Sequence, residues 1–214
     1  MTVHFIWDFD GTLVESSQAI RDVLVLLYQT YNVPFDEDWV MTYIIKESIG
    51  NLLQKLAQEK GLPAKELLAF FNREQEARDH MIQLKPATRE VLQKTAQKGI
   101  RHYILTHKGK TTVRVLEELG IASYFTEVVT AENGFRRKPS PEGLEYLIYR
   151  YEMAKETTYY IGDRLLDVQA AENAGIRSLN LTCSSGKTNQ KIDDLSDILD
   201  LLPNIISKQS EIIL

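Results

Sequence analysis

Apolar positions change their spacing along the chain, and each spacing predicts a different element. Residues 2–7, TVHFIW, form a short apolar run that reads as a buried strand. From Ser17 to about Met81 the spacing is helical and no strand pattern occurs. Ile20, Val23, Leu24, Leu27, Tyr28 and Tyr31 fall on one helix face. Ile49, Leu52, Leu53 and Leu56 repeat that spacing, and Leu67, Leu68, Phe70 and Phe71 mark a further helix after Pro63. Asn32-Val33-Pro34 and Gly61-Leu62-Pro63 break the run, so the segment predicts a small helical bundle.

After Pro86 helix and strand patterns alternate. A helix near 88–98 stops at Gly99, and RHYILT (101–106) follows as a strand. A helix near 111–119 stops at Gly120, before the strand TEVVT (126–130). Ser140 and Pro141 suit the N-cap and first position of a helix near 141–151. Strand TTYYI (157–161), a helix ending before Gly175, and strand RSLNL (177–181) complete the alternation. DDLSDILDLL (193–202) predicts a last helix that stops before Pro203. Alternation of this kind implies an α/β fold, a doubly wound parallel sheet with helices on both faces. One strand precedes the helical segment and the others follow it. The expected domains are therefore a core of residues 1–14 and 83–214 and an inserted helical domain of residues 15–82. Two linkers would let the insert hinge.

In open parallel sheets ligands bind beyond the carboxyl ends of the strands. Polar residues collect at those ends. Asp8 and Asp10 follow the first strand in HFIWDFDGTLVESS, and Thr106 closes YILT. Lys138 lies in FRRKPSP after the third strand, and Asp163 and Asp167 lie in GDRLLD after TTYYI. Two carboxylates about 4 Å apart repel by roughly 4 kcal/mol at an effective dielectric of ~20, so a cation must offset them. Asp8, Asp163 and Asp167 predict a site for Mg2+, a hard ion that takes oxygen ligands and substrate phosphate. Lys138 supplies a second positive charge, and the Thr106 hydroxyl can donate to a phosphoryl oxygen.

DFDGTL, ILTHK, RRKPSP and GDRLLD, in this order, resemble the four motifs of the haloacid dehalogenase (HAD) superfamily of phosphohydrolases. The helical insert resembles the cap of its phosphoglycolate-phosphatase and β-phosphoglucomutase branch. The resemblance covers nearly the whole chain and implies a Rossmann-like core. It implies that Asp8 is the nucleophile and forms an aspartyl-phosphate. Asp10 would act as general acid and base, and its backbone carbonyl would reach Mg2+. Thr106 and Lys138 would hold the phosphoryl oxygens, Asp163 would complete the metal site, and Asp167 would be an outer or water-mediated ligand. The expected reaction is Mg2+-dependent hydrolysis of a small phosphate monoester. A phosphomutase shares the same site. A phospho-receiver domain, the rival outside enzymes, has no long helical insert after its first strand. His107 and Arg164 depart from the family pattern. His107 is a candidate substrate contact, as are Lys46 and Glu47 in YIIKESIG (43–50), where helical regularity breaks.

Composition narrows the partners. The formal net charge of −5 over 214 residues gives no electrostatic footprint for nucleic acid. No apolar run reaches about 18 residues, so no membrane span is expected. The start of the chain lacks a basic n-region, and Cys183 is the only cysteine, which fits a reducing, cytoplasmic setting. The expected partner is a small phosphorylated metabolite, and the expected state a monomer or homodimer. KGKTT (108–112) and SSGKTN (184–189) lack the earlier glycine a P-loop needs, since Ile104 and Leu181 stand there.

Overall fold

The computed structural model describes residues 2–211, and the side chains of 2–207. The chain runs as β1 (His4–Trp7), β2 (Val14–Glu15), α1 (Ser17–Thr30), α2 (Glu37–Lys46), α3 (Ile49–Lys60), α4 (Ala64–Ala77) and β3 (Gln83–Leu84). It continues as α5 (Thr88–Gln97), β4 (Arg101–Leu105), α6 (Thr112–Glu118), β5 (Phe125–Val129), α7 (Glu142–Arg150) and β6 (Thr158–Gly162). Then follow α8 (Leu165–Ala174), β7 (Arg177–Asn180), β8 (Asn189–Lys191) and α9 (Asp197–Glu211). Among the described residues no helix is long and apolar enough to cross a membrane.

The chain forms two compact units, residues 1–15 with 83–214, and residues 16–82. In the first, six strands form one sheet in the order β5-β4-β1-β6-β7-β8. Every pairing in it is parallel. β1 pairs with β4 on one side and β6 on the other, with His4 opposite both Arg101 and Thr158. The strand order therefore reverses at β1, where a doubly wound sheet opens its crevice. Strand alternation assigns the faces. Ile6, Tyr103, Leu105 and Tyr160 pack with Leu144, Leu147, Ala170, Ala171 and Ala174 of α7 and α8. On the other face the Phe5 ring meets Trp7, His102 and Tyr159 edge-on, at 5.9–6.0 Å. His102 is part of that core: Nδ1 accepts from Trp7 Nε1 at 3.0 Å, and Nε2 lies 3.1 Å from Thr95 Oγ1.

β2 and β3 pair antiparallel, Val14 with Leu84 and Glu15 with Gln83. The helical unit thus leaves and rejoins the core through adjacent stretches of chain. Its own core is Val23, Leu24 and Leu27 of α1 with Val40 and Ile44, Leu52, Leu53 and Leu56, and Leu67 and Phe71. Asp36 accepts from the Trp39 amide to cap α2, and Ser48 from the Asn51 amide to cap α3. Leu68 faces solvent instead of joining that core.

Two expectations are corrected, and one strand of the six-stranded sheet has no counterpart in the sequence reading. The last helix does not stop before Pro203 but runs through it to Glu211. A proline inside a helix costs about 3 kcal/mol. Ile198, Leu202 and Ile205 form a buried stripe on α9, which packs on α5. Of these only Ile205 lies beyond Pro203, and its burial returns roughly 1.5–3 kcal/mol, which offsets most of that cost. Secondly, Pro141 rather than Ser140 takes the cap position of α7, while Ser140 Oγ accepts from the Glu142 amide at 3.4 Å. The further strand, β8, arises within a polar stretch. Buried Asn189 accepts from Ser178 Oγ and donates to the carbonyls of Cys183 and Ser184, so side-chain bonds rather than apolar alternation make this edge.

Candidate active site

The β1 ladder extends one residue past the strand, because the Asp8 amide donates to the Ile161 carbonyl at 2.8 Å. That bond places a carboxylate at the strand tip. The chain then turns sharply: the amides of Thr12, Leu13 and Val14 converge on the Phe9 carbonyl, and the Gly11 amide donates to Val14. Gly11 sits at φ +80, and a Cβ there would run into the Asp163 carboxylate. The turn thus brings the β1 and β6 loops together only because residue 11 has no side chain. Gly11→Ala is expected to displace Asp163 and weaken divalent-cation affinity about tenfold or more, read by calorimetry. Unchanged affinity would show that the loop relaxes without moving the acid.

Asp163 follows β6 and Asp167 lies in the first turn of α8. Asp167 Oδ2 accepts from the amides of Asp163 (3.1 Å) and Arg164 (2.9 Å), the favourable place for an acid at a helix start. Thr12 Oγ1 donates to Asp163 Oδ1 at 3.0 Å. Thr182 Oγ1 donates to the Asp163 carbonyl and Asn180 Nδ2 to that of Arg164, so β7 holds the loop from behind.

Lys138 comes from the loop between β5 and α7. Its amide donates to His107 Nε2 at 2.9 Å, while Arg137 donates to the His107 carbonyl at 3.2 Å. Its ammonium is 1% exposed and meets Asp167 Oδ1 at 2.6 Å, Asp8 Oδ1 at 3.0 Å and the Tyr160 hydroxyl at 2.9 Å. Tyr160 in turn donates to the Leu105 carbonyl at 3.0 Å. Thr106, buried at the end of β4, accepts on its hydroxyl from the Lys108 amide at 3.1 Å.

The sequence-predicted residues Asp8, Lys138, Asp163 and Asp167 therefore meet. Asp10 lies two residues beyond Asp8 with its Oδ1 buried and, among the described residues, unpartnered. Lys46 ends α2 and Glu47 caps it; both are exposed in the helical unit, and Glu47 accepts from Asn51 Nδ2. His107 is tied into the lysine loop by its ring nitrogen. Burial, with Lys138 and Arg137 beside it, pushes its pKa down to about 2, so the imidazole is neutral at working pH. Thr12, Tyr160 and Asn180 escape sequence reasoning. Thr12 and Asn180 offer no signal beyond the turn and strand end they occupy, and Tyr160 reads as a core strand residue.

Electrostatically the site is an acid cluster short of positive charge. Burial is the largest influence on Asp8 and pushes its carboxyl up to about 6 against the pull of Lys138. Burial, then Asp8 and Asp167, push Asp163 up to about 7. Burial draws Lys138 down, but Asp167 and Asp8 outweigh it and leave the ammonium above its ordinary value. Arg164 is likewise held up, against burial, by Asp8, Asp167 and Asp163.

Oxygens of Asp8, Asp163 and Asp167 lie within 4.8 Å of one another. Both Asp167 oxygens are already taken by Lys138 and two amides. Asp8 and Asp163 each keep an oxygen with no hydrogen bond among the described residues. This hard, oxygen-only donor set, with the orphaned Asp10 oxygen nearby, fits a divalent cation.

The raised acids give a pH signature. Between the unfolded value of 3.8 and the raised folded values, the folded state binds more protons than the unfolded one. The contribution of these two acids to the stability of metal-free protein is therefore expected to fall as pH rises from about 5 to about 7.5, the reverse of the usual carboxylate trend, while His4, His102 and His107, buried and neutral, contribute a rise over the lower part of that window. Thermal melts in chelator check this. The acids' share is read as the difference between wild type and Asp163→Asn, and a gap in chelator that does not move in favour of Asp163→Asn as pH rises would contradict the assignment.

A family model described as haloacid dehalogenase-like hydrolase matches residues 5–181. The phosphoglycolate phosphatase of Vibrio parahaemolyticus is 26% identical, covering 92% of this chain and 94% of that protein. The pyrophosphatase PpaX of Oceanobacillus iheyensis is 23% identical, covering 92% and 95%. The solved structure of a HAD-superfamily hydrolase of subfamily IA from Geobacter sulfurreducens shares the fold with a TM-score of 0.73. Its identity is 20%, covering 94% of this chain and 96% of that one.

Proposed function

The chain belongs to the haloacid dehalogenase-like hydrolases and is a phosphatase of that family, and from this premise we propose that it cleaves a small phosphate monoester through an aspartyl-phosphate on Asp8. The observation that carries the reading is the buried Lys138 ammonium, bonded to Asp8 and Asp167 beside the free oxygen of Asp163. An anionic nucleophile approaches an anionic phosphoryl group only where positive charge is held in place.

Asp8 attacks phosphorus as the bond to the ester oxygen breaks, and Asp10 gives the leaving oxygen its proton. Water then attacks the same phosphorus, Asp10 takes the water's proton, and the acyl phosphate opens to regenerate Asp8. Asp10 Oδ1 is buried without a partner among the described residues, which leaves it open to a substrate or water oxygen. Lys138 and Thr106 hold phosphoryl oxygens throughout. Asp8, Asp163 and the Asp10 carbonyl would hold Mg2+, which supplies charge neutralisation at the phosphoryl group. Asp167 acts chiefly by fixing Lys138 and the two amides of its own loop.

Selection of the rest of the substrate falls to the helical domain, residues 15–82, with Lys46 and Glu47 at its α2–α3 junction as candidate contacts. The relatives' names denote small anionic substrates, and an anion suits the charge of Arg164. The expected setting is the cytoplasm.

The test is phosphate release from an aryl phosphate and from a panel of phosphoglycolate, pyrophosphate and sugar phosphates, before and after chelation. Removing the metal is expected to lower turnover by roughly 10^2-fold or more, and Mg2+ to restore it. Full activity after thorough chelation would overturn the metal assignment.

A further inference from the structure

We propose that Tyr160 is a positioning residue for Lys138, fixing which of the lysine's N–H bonds reaches the phosphoryl group; this rests on the phosphoryl-holding role given to Lys138 above. An ammonium has three donors, and here three acceptors surround it: Asp8, Asp167 and the Tyr160 oxygen. Two of these acceptors are locked. Asp167 is held by the amides of Asp163 and Arg164, and the Tyr160 hydroxyl is held by its own bond to the Leu105 carbonyl. Burial keeps Tyr160 a neutral phenol, so its proton serves Leu105 and its lone pair faces the lysine.

Only the bond towards Asp8 is then free to be shared, and Asp8 is where the phosphoryl group arrives. Tyr160 thus ties the end of β4 to the lysine and points one N–H at the reacting centre. Without the hydroxyl, one lysine donor loses its acceptor, and the Leu105 carbonyl is released to compete for it. The ammonium lies 5.4 Å from the Tyr160 ring centroid, a contact phenylalanine keeps, so Tyr160→Phe isolates the hydroxyl.

Tyr160→Phe is expected to lower kcat on an aryl phosphate about tenfold and to weaken inhibition by inorganic phosphate about fivefold. Tyr159→Phe is the control. Tyr159 sits on the opposite face of the same strand, its buried hydroxyl has no partner among the described residues, and its loss should leave kinetics unchanged. In a Lys138→Ala background, Tyr160→Phe should cost nothing further, whereas a merely structural role lowers both rates alike. Should the variant fail to fold, 3,5-difluorotyrosine at position 160 keeps ring and hydroxyl but weakens the oxygen as an acceptor. A kcat loss of about two- to threefold is then expected. The proposal is overturned if kcat for Tyr160→Phe, or for the fluorinated protein, matches wild type, or if the penalty persists without Lys138. Turnover that survives Asp8→Asn sinks the functional reading itself; an essential Asp8 beside a silent Tyr160→Phe sinks only this inference.

Discussion

Asp8→Asn is expected to abolish turnover of an aryl phosphate, with a loss on the order of 10^4-fold or more, while the protein stays folded. An amide has no carboxylate oxygen to form the acyl phosphate, and no other described acid takes its place at the tip of β1. Asp163 is bonded to Thr12, and Asp167 is saturated by Lys138 and two amides. Stability should change little at pH 8. Asp8 is ionised at that pH although burial opposes its charge, so removing that charge relieves Asp163 and Asp167. Against that relief, Lys138 loses one of two acids but keeps its 2.6 Å bond to Asp167. Mass spectrometry after rapid quench should find a phosphoryl adduct on wild-type Asp8 and none on the variant. Turnover within about tenfold of wild type would mean that another group attacks phosphorus.

Lys138→Met tests the other half of the charge balance, and its effect should reach both rate and stability. The ammonium is the cation bonded to Asp8 and Asp167, and methionine fills similar volume without charge. Removing one partner of a buried pair costs about 3–5 kcal/mol, because the acids left behind are uncompensated. Loss of a preorganised cation at the phosphoryl group should lower kcat by roughly 10^2–10^3-fold. The pH dependence separates this from a packing defect. The stability difference should be largest near pH 8 and shrink towards pH 5, as the acids take up protons that wild type holds off with Lys138. Denaturant titrations at both pH values check it. A difference that does not vary with pH would assign the loss to packing instead.

Asp8 and Asp163 were legible in the sequence because each stands where an apolar strand stops, and Lys138 was legible through RRKPSP, in the loop nine residues past β5. A strand buried on both faces leaves a long apolar run, and a charge at its end has few other reasons to be there. Asp8 and Asp163 carry that signal. Tyr160 does not: its ring packs with Ile6 and Leu105 as any core residue would, and only the register of β6 turns its hydroxyl towards Lys138. Thr12 reads as turn filler until Gly11 brings it against Asp163. Asp167 was legible as a site acid but not as the anchor of Lys138, since spacing shows a helix start and not what faces it. Pro203 misleads for a related reason. Local propensity predicts a stop, whereas burial against α5, a long-range contact, offsets most of the proline's cost. His107 shows a difference in sequence pattern, and its bond to the Lys138 amide shows what that difference does in the loop.

The place of β1 in the sheet bears on how the chain is made. His4 pairs with Arg101 and Thr158, so the strand that carries Asp8 has no neighbour close to it in sequence. During synthesis β1 leaves the ribosome before both of its partners, and β6 emerges only after the helices of residues 16–82, β4 and β5. The helices of residues 16–82 rest on local contacts and can form early, while β1 waits, apolar and unpaired. A nascent chain halted before β6 would hold a folded bundle joined to an exposed sticky strand, the kind of species that chaperones bind. Asp8 is thus translated before the strands that flank it and is enclosed only once β6 has emerged.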